Sequence, residues 1–204
     1  MLESLYWSFK NTFGNTLPMI FVSLVLVISL RLTYLYKNKI KFEIYKEVLL
    51  LFFTFYCLCL FQIVTSSDSN ASGTSNFIPF KEITRYSSFG DLFIKNVIGN
   101  ILLFLPYGYF VGKFFAKDSK ILSTCLILLA SVSVEFTQLY IGRVFDVDDI
   151  ILNLIGGFIG YFIYLSTEKI FSFLPNFFRS KMFLNIVFSI LFIIFTIFLV
   201  MLFI

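Results

Sequence analysis

Ten polar side chains between residues 96 and 153 of this 204-residue chain have types and spacings suited to chemistry. Asn96 and Asn100 are four apart, Ser131, Glu135 and Gln138 follow at offsets of four and three, and Asp149 and Asn153 are again four apart. Such offsets put residues on one face of a helix. Between the last two groups, Arg143 stands beside Asp146, Asp148 and Asp149, three carboxylates within four positions. Carboxamides offer paired hydrogen bonds, a guanidinium grips phosphate or carboxylate, and carboxylates exchange protons or hold a hard cation. Histidine is absent, which removes imidazole as base, proton shuttle and metal ligand. Cys57, Cys59 and Cys125 all sit in apolar runs and read as small buried hydrophobes. Neither a disulfide framework nor a thiol nucleophile is expected.

The elements that position these residues must be membrane helices. The chain is 59% hydrophobic and 14% charged, against roughly 45–50% and about 25% in a soluble domain. Its mean hydropathy is +0.92. That composition excludes a soluble globule, a disordered chain and a disulfide scaffold. Backbone groups in hydrocarbon must be bonded internally, so only helices or closed barrels span a bilayer. The apolar runs are continuous where barrel strands would alternate. The reading is an all-α, polytopic bundle of about six transmembrane helices. A net charge of +4 is too small to argue for nucleic acid.

A span needs about 20 mostly apolar residues. Residues 1–16 read as an interfacial segment, and 17–65 as two spans, about Leu17–Tyr36 and Val48–Thr65. Residues 66–95 form a loop, and 96–165 hold three spans, about Asn96–Phe115, Ile121–Ile141 and Asp149–Leu165. A second loop covers 166–182 and a last span covers 183–204. The first apolar run lacks a small-residue cleavage site, so no signal peptide is expected. Arg31, Lys37, Lys39, Lys41, Lys46, Lys113, Lys117, Lys120, Lys169, Arg179 and Lys181 fall on one side, eleven of the sixteen basic residues. The positive-inside rule makes that side cytoplasmic, with both termini and the 66–95 loop outside. The loop begins as a flexible polar tract, with a glycosylation-type triplet at Asn70-Ala71-Ser72. It then becomes amphipathic from Phe77 to Phe93, which suits a short helix or re-entrant segment.

Polar groups in hydrocarbon need partners, because a buried charge costs from ~2.5 to over ~10 kcal/mol. Glu135 lies about one and a half turns inside the outer end of its span, so it must be neutral or paired, and Arg143 is the nearest cation in sequence. Asp148 or Asp149 can cap the fifth span. Pro106 predicts a kink, and Gly108/Gly112 and Gly156/Gly160 are small-residue pairs that allow close helix approach. A structural ion pair with a solvated acidic turn explains part of this set. Asn96, Asn100, Ser131, Glu135, Gln138, Arg143, Asp146, Asp149 and Asn153 converging on one end of the bundle also describe a hydrogen-bonding site that opens to the outer leaflet.

Four segments in order carry a family resemblance. Asn96-xxx-Asn100-Ile101-Leu102-Leu103-Phe104-Leu105-Pro106-Tyr107-Gly108 resembles the asparagine-to-proline signature of the VanZ-like family. Ser133-Val134-Glu135-Phe136-Thr137-Gln138, Arg143-Val144-Phe145-Asp146-Val147-Asp148-Asp149 and Asn153-Leu154-Ile155-Gly156 follow at fitting intervals. Asn76-Phe77-Ile78-Pro79-Phe80 resembles its element before the span. The likeness covers about residues 76–165 and leaves the first two and last spans undiagnostic. It implies a multi-pass protein of the bacterial cytoplasmic membrane, in a family whose namesake is linked to low-level resistance to teicoplanin, a lipoglycopeptide. A family name does not supply a reaction.

Three functions stay open at this stage. In the first, Asn96, Asn100, Gln138, Arg143 and Asn153 bind an amphiphile, either the lipoglycopeptide or a lipid-linked wall precursor. In the second, the protein is an intramembrane enzyme acting on a lipid or lipid-linked glycan. Glu135 would then be general acid or base and Asp149 or Asp146 its partner. No cofactor is expected, although Asp146 and Asp149 offer the oxygens that suit Mg²⁺ against a substrate phosphate. In the third, it is a small lipid transporter, with no internal repeat to support it.

Overall fold

The computed structural model describes residues 17–66, 75–85, 90, 93–117 and 119–203. The interfacial segment 1–16 and the Asn70-Ala71-Ser72 triplet lie outside the described residues. The helices are α1 (Leu17–Lys37), α2 (Ile44–Ser66), the short α3 (Lys81–Arg85), α4 (Gly99–Phe114) entered through a π-helical turn at Ile94–Ile98, α5 (Lys120–Tyr140), α6 (Val147–Phe173), the short α7 (Asn176–Arg179) and α8 (Lys181–Phe203). Six of them (α1, α2, α4 with its π turn, α5, α6 and α8) are long and apolar enough to cross a membrane, as the apolar runs require. Two boundaries differ from the sequence reading. α2 begins at Ile44, ahead of Val48, and α6 continues to Phe173, past Leu165. In both places the helix outlasts its apolar run. A backbone that has already paid for helix nucleation propagates cheaply into polar sequence.

The described helices form two compact units. In the first, which holds residues up to Ile63 and from Phe173 onward, charges tie the ends of the helices together. Arg31 of α1 grips Glu47 of α2 with two hydrogen bonds, Nε to Oε2 at 2.9 Å and Nη2 to Oε1 at 3.1 Å. Glu43, just before α2, pairs with Lys181 and, at 2.6 Å, with Lys46. Those two ammonium groups, Lys181 foremost, hold the Glu43 carboxyl down at about 2. A depressed carboxyl contributes its clasp at neutral pH and loses it only as pH falls through that value. α8 reads from sequence as a lipid-facing helix without chemistry, yet its Asn185 has a structural task. The Asn185 carboxamide oxygen accepts the Tyr45 N–H (3.1 Å), one of the free donors in the first turn of α2. Phe195 of α8 meets Phe52 and Phe55 of α2 edge-on, with ring centroids 5.1 Å apart.

The second unit, Val64–Ser172, carries α3 to α6. Glycine fixes its geometry. A Cβ at Gly156 would collide with the Ile101 carbonyl, and one at Gly160 with the Leu105 carbonyl and the Tyr109 N–H. One at Gly108 would collide with the Gly157 carbonyl, and one at Gly157 with the Ile127 side chain of α5. Gly156 and Gly160 therefore lie against the α4 backbone and Gly108 against Gly157, so α4 and α6 touch backbone to backbone, while Gly112 makes room for the Tyr161 and Tyr164 rings. Lipid tails are as apolar as leucine, so this close packing supplies attraction that burial from water cannot supply inside a bilayer. At the far end of this pair Lys113 of α4 bonds Glu168 of α6 at 2.5 Å.

Candidate functional site

Asn96, Asn100, Glu135, Gln138, Asp146, Asp149 and Asn153 gather at the other end of α4, α5 and α6. The turn between α5 and α6 brings them together. Gly142 adopts φ +86°, a left-handed conformation that favours glycine. The chain thereby folds back, and the Arg143 N–H closes on the Gln138 carbonyl at 2.9 Å. Below that turn, on facing sides of α5 and α6, Ser131 and Glu135 are one turn apart, as are Asn153 and Asp149.

Three linked contacts run through this junction. Asn100 of α4 donates from Nδ2 to Asp149 Oδ1 at 2.6 Å. Asn153 donates from Nδ2 to Ser131 Oγ at 3.1 Å. Glu135 Oε2 accepts the Asp146 N–H at 3.1 Å. In the amide orientation that satisfies both neighbours, Gln138 donates to Glu135 Oε1 (3.0 Å) and accepts from Arg143 Nη1 (2.6 Å). Gln138 thus bridges the glutamate and the arginine. Ser131, Glu135, Gln138 and Asn153 are buried, whereas Asn96, Asn100, Arg143, Asp146 and Asp149 are half-buried. The result is a buried polar floor under an accessible rim. Asn96 stands in the π turn, one turn before Asn100. One floor atom is unmatched: Asn153, only 2% exposed, has a carboxamide oxygen with no hydrogen-bond partner among the described residues.

The acidic trio divides. Asp148 and Asp149 read from sequence as candidate caps for the fifth span, but Asp146 does that work: its Oδ1 accepts the Asp148 N–H (2.9 Å). The same oxygen takes Asn76 Nδ2 at 2.8 Å. Asp148, 1% exposed, turns to the segment that precedes α3. Its Oδ1 accepts the Phe80 N–H at 2.5 Å and its Oδ2 the Ile83 N–H at 3.2 Å. It caps a helix other than its own and holds Phe80 at φ +66°. Backbone pairing completes the clasp, with Asn76 N–H to Phe145 O at 2.8 Å and Val147 N–H to Asn76 O at 3.1 Å. Phe77 stacks on Phe145, centroids 5.5 Å apart. The residue that sequence spacing missed is Asn76, whose partners lie 70 positions away. Among the described residues no three carboxylates or thiols gather as a metal-ligand set. Asp148 gives both oxygens to backbone N–H groups.

The profile of the VanZ/LLP1 family matches residues 47–170. The chain belongs to the VanZ/LLP1 family. The match starts within α2, so the second span, undiagnostic by eye, falls inside the VanZ/LLP1 region along with everything through most of α6. The whole cluster described above lies in it, as does the Asn76–Asp146 clasp. No curated protein and no solved structure matches the chain.

The clasp makes a prediction for this VanZ/LLP1 chain. Asp148→Ala leaves two buried N–H groups without their charged acceptor and frees the strained Phe80 backbone. The expected cost is about 3 kcal/mol. It should appear as faster amide exchange at Phe80 and Ile83 while the α4 and α6 amides stay protected. Unchanged protection at Phe80 would show that the clasp does not hold the segment.

Proposed function

We propose that this VanZ/LLP1 protein works in the bacterial cytoplasmic membrane, and that its polar cluster at the outward ends of α4, α5 and α6 binds the head of an amphiphile. The amphiphile is a lipoglycopeptide such as teicoplanin or a lipid-linked wall precursor, and its capture lowers the drug's effect. The excess of basic residues at the opposite end supports the outward orientation. The observation that carries the reading is the Asn153 carbonyl. A buried acceptor without a donor costs roughly 1–3 kcal/mol, and a ligand hydroxyl, amide or ammonium reaching the floor would satisfy it. Asn100 and Asn96 on the rim would add hydrogen bonds, and Arg143 would meet a phosphate or carboxylate. Aromatic Phe77, Phe136 and Phe145 stand beside the cluster for apolar parts of the ligand.

Asn153→Leu tests this reading. Leucine suits a membrane helix, and the freed Ser131 hydroxyl can bond a carbonyl of its own helix, so the fold survives. With the protein in nanodiscs, labelled teicoplanin and a labelled lipid-linked precursor should each be titrated against both forms. Whichever binds the natural protein should bind the variant about tenfold more weakly. Equal binding by the variant, or no binding of either by the natural protein, would contradict the reading.

A second reading is an enzyme acting on a lipid or lipid-linked glycan. What favours it is the placement of Glu135 and Asp149, two carboxylates at the same end of α5 and α6, with Gln138 linking Glu135 to Arg143. Glu135 would be acid or base with Asp149 as partner. Asp146 suits that role less, since one of its oxygens already holds Asn76 and the start of α6.

A further inference from the structure

The first unit contains a second feature, distinct from the polar cluster and mostly outside the residues matched by the VanZ/LLP1 family. Between α1 and α2 lies a partly enclosed cavity of about 190 Å³. Val27, Leu32, Phe42, Leu50 and Leu51 form its apolar wall, and among the described residues its only charged lining is the Arg31–Glu47 pair. An apolar cavity favours hydrocarbon over water. One of ~150 Å³ lined by Leu, Ile and Phe stays dry and takes hydrocarbon. In a bilayer the hydrocarbon at hand is an acyl chain.

The charges around the mouth select the headgroup. Arg31 lies six residues before the end of α1, about 9 Å in from it at 1.5 Å per residue. Among the described residues both of its hydrogen bonds go to Glu47, which leaves three of its five N–H donors there. The turn that follows carries Lys37, Lys39 and Lys41, all exposed. The acids of this end are taken up elsewhere: Glu47 by Arg31, and Glu43 by Lys46 and Lys181. Among the described residues no carboxylate pairs with Lys37, Lys39 or Lys41. Three unneutralised ammonium groups therefore sit above an apolar cavity whose inner rim offers guanidinium N–H groups.

We infer that this cavity is a binding site for an anionic phospholipid, with one acyl chain between α1 and α2, its phosphate among Lys37, Lys39 and Lys41, and an ester or phosphate oxygen on Arg31. A membrane-surface lysine contributes about a fivefold preference for an anionic lipid. The test uses the full-length protein in nanodiscs of equal phosphatidylglycerol and phosphatidylcholine, released and weighed by native mass spectrometry. The natural protein should leave as a monomer retaining phosphatidylglycerol. Lys39→Gln should lower its preference about fivefold and the triple Lys37→Gln, Lys39→Gln, Lys41→Gln variant should lose it. Leu50→Trp, which fills the cavity, should lose the retained lipid altogether while keeping its helical circular dichroism. Equal retention of the two lipids by the natural protein would overturn the inference. So would undiminished preference in the triple variant, or release as a lipid-free dimer, which would show that a second copy covers this face.

Discussion

Gly160→Leu should separate α4 from α6 and lower the thermal midpoint of the protein in detergent by on the order of 10 °C. The leucine Cβ alone would occupy the space of the Leu105 carbonyl and the Tyr109 N–H. These are backbone atoms on a neighbouring helix and cannot swing aside as a side chain would. Overpacking a core commonly costs 1–3 kcal/mol and occasionally more, and a backbone contact belongs at the upper end. The consequence reaches function, because Gly160 lies on the same stripe as Gly156, and Gly156 sits a turn below Asn153. Parting the helices here draws Asn100 away from Asp149. Gly99→Ala is the matched control, since its nearest neighbour would stand at an ordinary 3.8 Å. That variant should melt with the natural protein. A Gly160→Leu protein that melts with it too would mean that α4 and α6 do not meet at this stripe.

Glu135→Leu should abolish function, and Glu135→Gln should reduce it only in part. Glu135 accepts two hydrogen bonds, from the Asp146 N–H and from Gln138. Leucine removes both acceptors at once. The Asp146 N–H loses its partner at the start of α6, and Gln138, still bonded to Arg143, loses its anchor. Each orphaned group costs roughly 1–3 kcal/mol, and the rim that Arg143 forms goes with them. Glutamine has the same shape and keeps one carbonyl oxygen for the Asp146 N–H. A binding site whose frame survives should keep part of its affinity. An enzyme that moves a proton through Glu135 would lose its rate outright, because a carboxamide cannot exchange that proton.

The spans were legible because each apolar run is long enough to cross and is bounded by Gly, Pro or charge. The side-chain pairs within the cluster were legible for a related reason: Asn100, Ser131, Glu135, Asp149 and Asn153 recur at helical offsets, which fixes the face on which each stands. What spacing cannot carry is the contact between distant parts of the chain. Sequence leaves Glu135 either neutral or paired, with Arg143 as the candidate cation, and nothing in their separation shows that Gln138 stands between them. Asp148 looked like one more member of an acidic turn. Only folding reveals that its carboxylate serves the Phe80 and Ile83 amides, 65 and more positions away. Asn185 gives the same difficulty in a helix whose only other polar residues from Phe183 on are Ser189 and Thr196. Helix ends were less legible than helix middles, since hydropathy marks where the bilayer stops and not where the hydrogen-bonded backbone does.

The most direct measurement is complementation of a host lacking this gene with the natural protein, Glu135→Gln and Glu135→Leu, each matched for abundance. Susceptibility to teicoplanin and vancomycin is read beside the envelope lipid profile. The account expects the natural protein to protect against teicoplanin, the glutamine form to protect in part, the leucine form not at all, and no lipid or glycan species to change in any of them. A glutamine form as inert as the leucine form, with a lipid or glycan species that appears only beside the natural protein, would contradict it in favour of catalysis. Full protection by the leucine form would place the function away from this cluster.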